Sequence, residues 1–208
     1  MNKDLMFSSA TDQWATPQSF FDKLNAEFNF TLDPCATNDN AKCEKYFTIE
    51  DNGLLQDWGG ETVFCNPPYS KKENKCKKGC KKKACETRGY HLKEDKPGQE
   101  DWVKKCYEES LKRDTRVVML IPARTDTQCF HDYIYHKAKE IRFLKGRLKF
   151  GSAKNAAPFP SIVVVFYNAI EGELIAKREE RSAKDTKIEE LEKRMRELAD
   201  EIAELKGE

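Results

Sequence analysis

The chain has 208 residues, 38% hydrophobic and 35% charged, against a typical charged share of roughly 25%. Twelve Phe and an aromatic share of 11% exclude a disordered chain, and no apolar run approaches the roughly 18 residues that a membrane span requires. The formal charge of +1 points to no polyanionic partner until it is divided along the chain.

Residues 1–70 carry 4 Lys/Arg against 11 Asp/Glu, 71–100 carry 11 against 5, 101–170 carry 13 against 7, and 171–208 carry 9 against 13. The balanced total hides a basic middle, which suits a phosphate backbone or a solvated Lys-rich loop. At roughly 150 residues per domain the length fits one core and an accessory segment. The opening MNKDLMFSSATDQW lacks the apolar stretch of about 7 to 15 residues found in secretory signals, so a cytoplasmic protein is expected, without a membrane partner. Its eight cysteines should then serve packing, metal binding or catalysis, not cross-linking.

In chain order, Phe20, Phe21, Leu24 and Phe28 fall at helical spacing. Thr16-Pro17 ahead of them offers a capping hydroxyl and a first-turn proline, which predicts a helix over 17–27. FTLDPCA predicts a short buried strand ending at Asp33, because Pro34 stops both helix and ladder. ETVFCNPPYS predicts a second strand closed by a rigid Pro-Pro turn. Residues 71–100 break the pattern, with eight Lys among positions 71–83 and almost no apolar residues, and are expected to be an insertion. DWVKKCYEESLKR predicts an amphipathic helix capped by Asp101. RVVMLIPAR predicts a strand buried on both faces. A helix over 126–138 and strands in EIRFLKGRLKF and SIVVVFYNA complete the series. Buried runs alternating with helices predict an α/β sheet, covered on both faces, with ligand sites at the carboxyl ends of its strands.

From Ile188 the tail repeats Leu191, Met195, Leu198, Ile202 and Leu205 at intervals of 3, 4, 3, 4 and 3. This is a heptad seam whose a positions (Ile, Met, Ile) and Leu-only d positions favour a parallel two-stranded coiled coil, hence a homodimer through 171–208. A single amphipathic helix folded back on its own domain is the other solution.

Asn66-Pro67-Pro68-Tyr69 directly follows a predicted strand. An amino group on a flat ring is a poor nucleophile because its lone pair is delocalised, and a catalyst must localise that pair by accepting both N–H bonds. The Asn66 side-chain oxygen and the Pro67 carbonyl, held rigid by Pro67 and Pro68, can supply the two acceptors. Tyr69 supplies a face for a planar base that has left its duplex. The alternative is an ordinary Pro-Pro turn.

Four stretches carry a resemblance: Trp14-Ala15-Thr16-Pro17, Leu32-Asp33-Pro34-Cys35-Ala36-Thr37, Asn66-Pro67-Pro68-Tyr69-Ser70 and Leu120-Ile121-Pro122-Ala123-Arg124-Thr125-Asp126, with Phe143-Leu144-Lys145-Gly146-Arg147-Leu148-Lys149-Phe150 as a later addition. In their order and spacing the sequence resembles the bacteriophage-type DNA N6-adenine methyltransferases, enzymes that use S-adenosylmethionine. The resemblance implies a Rossmann-like α/β core over 1–70 and 101–170, methyl transfer to an extruded adenine of double-stranded DNA, and catalytic roles for Asn66, Pro67, Pro68 and Tyr69. It also implies cofactor contacts from Trp14, Thr16, Pro17, Asp33, Pro34, Cys35 and Ala36. The loop after Asp33 has no glycine where such cofactor loops are Gly-rich. Only 33 positions separate Asp33 from Asn66, so an abridged sheet is expected, with Asp57-Trp58 as the adenosine-side wall. Related Asn-Pro-Pro-Tyr enzymes act on RNA or on protein glutamine, and a catalytically inactive DNA-binding protein is the rival from another class.

Within the insertion, Cys76, Cys80, Cys85 and His91 are spaced C-x3-C-x4-C-x5-H, which suits tetrahedral Zn2+. So few apolar groups cannot form a core, and a structural metal would supply the folding energy; incidental cysteines in a disordered loop are the alternative. Cys35, Cys43, Cys65 and Cys106 lie in or beside apolar segments and read as packing residues. Lys78, Lys81 and Lys82, with Arg124, Arg142, Lys145, Arg147, Lys149 and Lys154 on the C-terminal half, are the expected phosphate contacts. Arg147 is the expected base contact.

Overall fold

A computed structural model describes residues 14–151, 155–168, 182 and 184–198. The chain divides into two units, Met1–Asn168 and Ala169–Glu208.

In the first unit, strands β1 (Leu32–Asp33), β2 (Lys45–Tyr46), β3 (Thr62–Cys65), β4 (Arg116–Pro122), β5 (Glu140–Phe143) and β6 (Ser161–Tyr167) form one sheet in the order β2-β1-β3-β4-β6-β5. The first four are parallel, and β6 runs antiparallel to both β4 and β5. β4 and β6 are the apolar runs of the sequence, and their full-length pairing from Arg116↔Tyr167 to Pro122↔Ser161 places every residue of Val117–Ile121 and Ile162–Phe166 out of solvent. Each such side chain contributes roughly 1.5–3 kcal/mol of transfer free energy, so this pair anchors the sheet.

Successive strand residues face opposite sides. On β3, Phe64 meets Phe21 of α1 (Gln18–Phe28) edge-on at 5.1 Å. Cys65, one residue on, packs with Cys106 of α3 (Gln99–Ser110). Helices therefore cover both faces. Two short helices, α2 (Lys83–Arg88) and α4 (Gln128–Tyr133), complete the unit.

Several local expectations are corrected. α1 begins one residue later than predicted, with Pro17 as its N-cap, and the Thr16 hydroxyl makes no capping bond because it accepts a bond from Asn66 instead. α3 starts at Gln99; Asp101 is its third residue and accepts from the Gly98 N–H at 2.9 Å. The predicted helix 126–138 is helical only over Gln128–Tyr133. Tyr135 N–H reaches back to the Phe130 carbonyl, and His136 takes a left-handed φ of 58°, a sharp turn that delivers Lys139 to its bond with Val165. The strand predicted in EIRFLKGRLKF ends at Phe143, since Gly146 turns at φ 83°.

In the second unit the described residues 184–198 are helical. Ile188, Leu191, Met195 and Leu198 are all exposed; Ile202 and Leu205 lie outside the described residues. Among the described residues no helix is long and apolar enough to cross a membrane.

Candidate active site and cysteine cluster

β1 and β3 end side by side, Leu32 paired with Val63, while β2 lies on the far side of β1. Strand order thus reverses beside β1, and the residues that follow the two strands converge on one crevice, the position where open α/β sheets bind ligands. The crevice holds a cavity of about 410 Å3 lined by, among others, Trp14, Thr16, Asp33, Pro34, Cys35, Ala36, Asn66, Pro67 and Pro68. That volume falls within the roughly 300–1,000 Å3 of small-molecule sites.

Asn66 is the first residue after β3, and its side chain is held from three directions. Its Nδ2 donates to the Trp14 carbonyl at 2.5 Å and to Thr16 Oγ1 at 2.9 Å, and its Oδ1 accepts from the Tyr69 hydroxyl at 2.6 Å. An Asn side chain has two donors and two acceptor lone pairs. The protein uses three of these four positions and leaves one acceptor, so the amide is oriented before any ligand arrives.

Tyr69 differs from the open stacking platform expected. It is 8% exposed, with Trp14 offset-stacked on it (centroids 6.3 Å apart, planes at 20°) and the edges of Phe150 and Phe159 around it. Burial pushes its phenol well above the ordinary value, which keeps it a hydrogen-bond donor to Asn66.

Asp33 is 5% exposed. Its carboxylate accepts from the backbone N–H of Cys35 at 3.4 Å and of Lys42 at 3.2 Å, tying down the loop after β1. Burial outweighs those bonds and pushes its carboxyl up to about 6. Cys35 Sγ lies 3.8 Å from Cys65 Sγ; burial raises both thiols, as befits neutral packing groups.

The close backbone approach that glycines would have given the 33–37 loop comes from the opposite side. Gly53, also in the lining, sits so near Pro34 that a Cβ would lie 2.0 Å from the Pro34 carbonyl oxygen. Trp58 supports it from beneath: fully buried, it donates through Nε1 to the Gly53 carbonyl at 3.0 Å and stacks with Trp102. Asp57 does not line the cavity; it is exposed and pairs with Lys112 at 2.7 Å. Pro17 lies outside the lining as well. Sequence reasoning missed Gly53, although Asn52-Gly53 is a turn signal. It also missed Trp102 and, from the insertion, Glu94, Asp95, Lys96 and Pro97.

In the insertion, the potential ligand atoms of Cys76, Cys80, Cys85 and His91 all lie within 4.8 Å of one another. The Cys76–Cys85 and Cys80–Cys85 sulfur distances are 3.3 and 3.8 Å, close to the roughly 3.8 Å edge of a tetrahedron with 2.3 Å metal–sulfur bonds. Hydrogen bonds from Cys85 first and His91 next hold the Cys76 thiol down to about 7. The donor set and its spacing fit a soft tetrahedral metal.

Lys78, Lys81, Lys82, Arg124, Lys145, Arg147 and Lys149 are exposed. Arg142 is not available for phosphate: it pairs with Glu27 and Glu140 and lies over the Phe28 ring. Lys154 lies outside the described residues.

Comparison with known proteins gives the class first. Sixty-five residues are 45% identical to the Escherichia coli (strain K12) protein YfdM, covering 28% of this chain and 71% of that one. Seventy-two are 42% identical to a DNA N-6-adenine-methyltransferase of Haemophilus phage HP1 (strain HP1c1), covering 34% of this chain and 42% of the phage enzyme. Sixty-two are 37% identical to a DNA N-6-adenine-methyltransferase of Escherichia phage T1, covering 29% and 26%. The chain thus spans under half the length of either phage enzyme. The model of the DNA N-6-adenine-methyltransferase (Dam) family matches residues 5–187. The chain belongs to that family, the adenine-specific DNA methyltransferases.

Proposed function

We propose that this chain transfers the methyl group of S-adenosylmethionine to N6 of an adenine in double-stranded DNA, on an abridged Rossmann-like sheet, with the cofactor in the cavity between the ends of β1 and β3. The observation that carries the reading is the Asn66 amide, oriented by Trp14, Thr16 and Tyr69 with a single acceptor position left.

That acceptor and the Pro67 carbonyl take the two hydrogens of the adenine amino group, localising its lone pair. The cofactor supplies an activated methyl group. Asp33, Pro34, Cys35 and Ala36 border the cofactor's side of the cavity, and the buried Asp33 carboxylate is complementary to the cofactor's positive charge. A base that stacks on Tyr69 takes the place the Trp14 indole now holds, so entry of the base requires that ring to swing aside while the Trp14 carbonyl keeps its bond to Asn66. Because positioning dominates such a reaction, orientation of Asn66 matters more than proton transfer. Exposed lysines of the insertion and Arg124, Lys145 and Lys149 supply phosphate contacts, which position DNA without reading it, and Arg147 is the base contact. The basic insertion favours nucleic acid over a protein glutamine as acceptor.

Zn2+ is the metal we assign to Cys76, Cys80, Cys85 and His91; three sulfurs and one imidazole nitrogen at tetrahedral spacing support it. The exposed seam Ile188, Leu191, Met195 and Leu198 supports pairing of the tail with a second copy. Removing 183–208 should then reduce the mass in sedimentation to that of a monomer, and an unchanged mass rejects the dimer.

The decisive assay is transfer of labelled methyl from S-adenosylmethionine to unmethylated duplex DNA, with Asn66→Ala alongside. Labelled N6-methyladenine that disappears in the variant is the expected result. Cofactor binding without transfer to DNA moves the acceptor to RNA or protein, and no cofactor binding leaves an inactive DNA-binding protein.

A further inference from the structure

The insertion leaves and re-enters the core through a narrow neck. Gln99 N–H donates to the Ser70 carbonyl at 2.9 Å, and Gly98 is packed so closely on the outgoing chain that a Cβ would lie 2.2 Å from the Lys72 nitrogen. Beyond the neck, two stretches run side by side. Glu73 and Lys96 exchange both backbone hydrogen bonds (3.0 and 2.8 Å), and Cys76 N–H donates to the Leu92 carbonyl at 2.9 Å. Between them Lys75 N–H donates to Asp95 Oδ1 at 2.7 Å. Arg88 of α2 reaches back to Glu73 at 3.0 Å.

This short ladder has two different ends. At the far end stand Cys76 and, next to Leu92, His91, both members of the ligand cluster. Along the returning stretch stand Glu94, Asp95, Lys96 and Pro97, which form part of the same cavity lining as Asp33 and Asn66. Nothing apolar holds the ladder together: of residues 71–98, only Cys85 and Gly98 are buried, and the eight lysines between 71 and 83 repel one another. A segment of this composition keeps one shape only if a cross-link replaces a core.

We propose that Zn2+ bound by Cys76, Cys80, Cys85 and His91 clamps the far end of this ladder and so fixes residues 94–97 as one wall of the cofactor cavity, making cofactor affinity dependent on the metal. The inference rests on the cavity and zinc readings given above. The wall adds Glu94, Asp95, Lys96 and Pro97 to a lining that already holds Asp33 and Lys42, and the acidic excess suits a ligand bearing an ammonium and a sulfonium. The metal would thus serve the methyl donor, and not only the presentation of lysines to DNA.

The test uses the full chain in three states: metal-replete, stripped by a chelator, and reconstituted with Zn2+, with zinc measured by elemental analysis. Each state is titrated calorimetrically with S-adenosylmethionine in the absence of DNA, and Cys80→Ser is carried in parallel. One zinc per chain, at least tenfold weaker binding in the stripped protein and in Cys80→Ser, and recovery on reconstitution are expected, with the near-ultraviolet circular dichroism of the core retained throughout. Zinc present but affinity unchanged on stripping overturns the inference and leaves the zinc reading intact, whether or not DNA affinity falls. Well under one zinc in replete protein removes the zinc reading and this inference with it. No binding by the replete protein removes the cavity reading instead, and collapse of the core signal on stripping means that the metal holds the whole fold, which also overturns the assignment to one wall.

Discussion

Asp33 offers a test in which sign and size both follow from burial. Its carboxyl is pushed from 3.8 up to about 6, by desolvation against the two amides that bond it, and at about 1.36 kcal/mol per unit this corresponds to about 3 kcal/mol. In the window between about pH 4 and 6 the folded chain binds a proton that the unfolded chain has released. The contribution of this group to stability is therefore full below 3.8 and lost as pH rises through 6. Replacing it by Asn removes that dependence. Urea unfolding of Asp33→Asn and the parent should thus show a stability difference that shifts by about 2.4 kcal/mol in favour of the variant between pH 4 and 7.5. The carboxyls held below their ordinary values, Glu27, Glu61, Glu109 and Glu140, slope the opposite way in both proteins and cancel in the difference. The same charge should aid the cofactor: in the absence of DNA, S-adenosylmethionine affinity of the parent should fall as pH drops through 6, and that of Asp33→Asn should be weak and flat. A stability difference constant to within about 0.5 kcal/mol across this range would refute a buried carboxylate with a raised value.

Three further substitutions probe the supports of the site. Gly53→Ala places a Cβ 2.0 Å from the Pro34 oxygen, so a loss of about 1–3 kcal/mol is expected, with weaker cofactor binding; a melting temperature equal to the parent's contradicts the close approach. Tyr69→Phe removes the 2.6 Å bond to Asn66 Oδ1 and should lower kcat roughly fivefold, for a bond contributing about 1 kcal/mol. Cofactor affinity should be unchanged in that variant, and an unaltered kcat would show that Asn66 is oriented without it. Glu109→Ala leaves Lys105 and the buried Trp58 N–H without their shared acceptor, and should destabilise by about 3 kcal/mol at pH 7. Because the lysines and the Trp58 amide, working against burial, hold Glu109 below its ordinary value, the difference should shrink as pH falls below about 4, a trend that urea titrations at two pH values would check.

The strands legible in the sequence were those whose whole length is buried. RVVMLIP and SIVVVFY could only be core strands, and they pair along their full length. The helix predicted over 126–138 failed because apolar spacing continues through Ile134, buried at 1%, while the backbone leaves the helix after Tyr133 and turns at His136; a local pattern cannot register a turn imposed by the next strand's pairing. Asn66 was legible because its chemistry is carried by four adjacent residues. Its supports were not, since Thr16 lies fifty positions away and reads locally as a helix cap. Asp57 misled for the converse reason: an acidic residue beside a tryptophan looks like a ligand wall, but the tryptophan is the buried partner and the acid pairs with Lys112.

The two-residue strands at this edge of the sheet and the glycine-free 33–37 loop have a common physical solution. Between Asp33 and β3 the described residues form one two-residue strand and no helix, and the 33–37 loop is pinned from within by the Asp33 carboxylate. Pinning buries a charge, which is unfavourable in the empty protein and becomes favourable when a cation neutralises it. The rest of the lining includes backbone that comes close without a side chain, Gly53 against Pro34 and supported by the Trp58–Trp102 stack, and the returning stretch of the insertion. Each replaces a part that a longer sheet would have provided, and each is held by a long-range contact instead of by its own strand or helix. Cofactor affinity should therefore respond to substitutions at Gly53 and in the insertion as strongly as to those in the 33–37 loop itself.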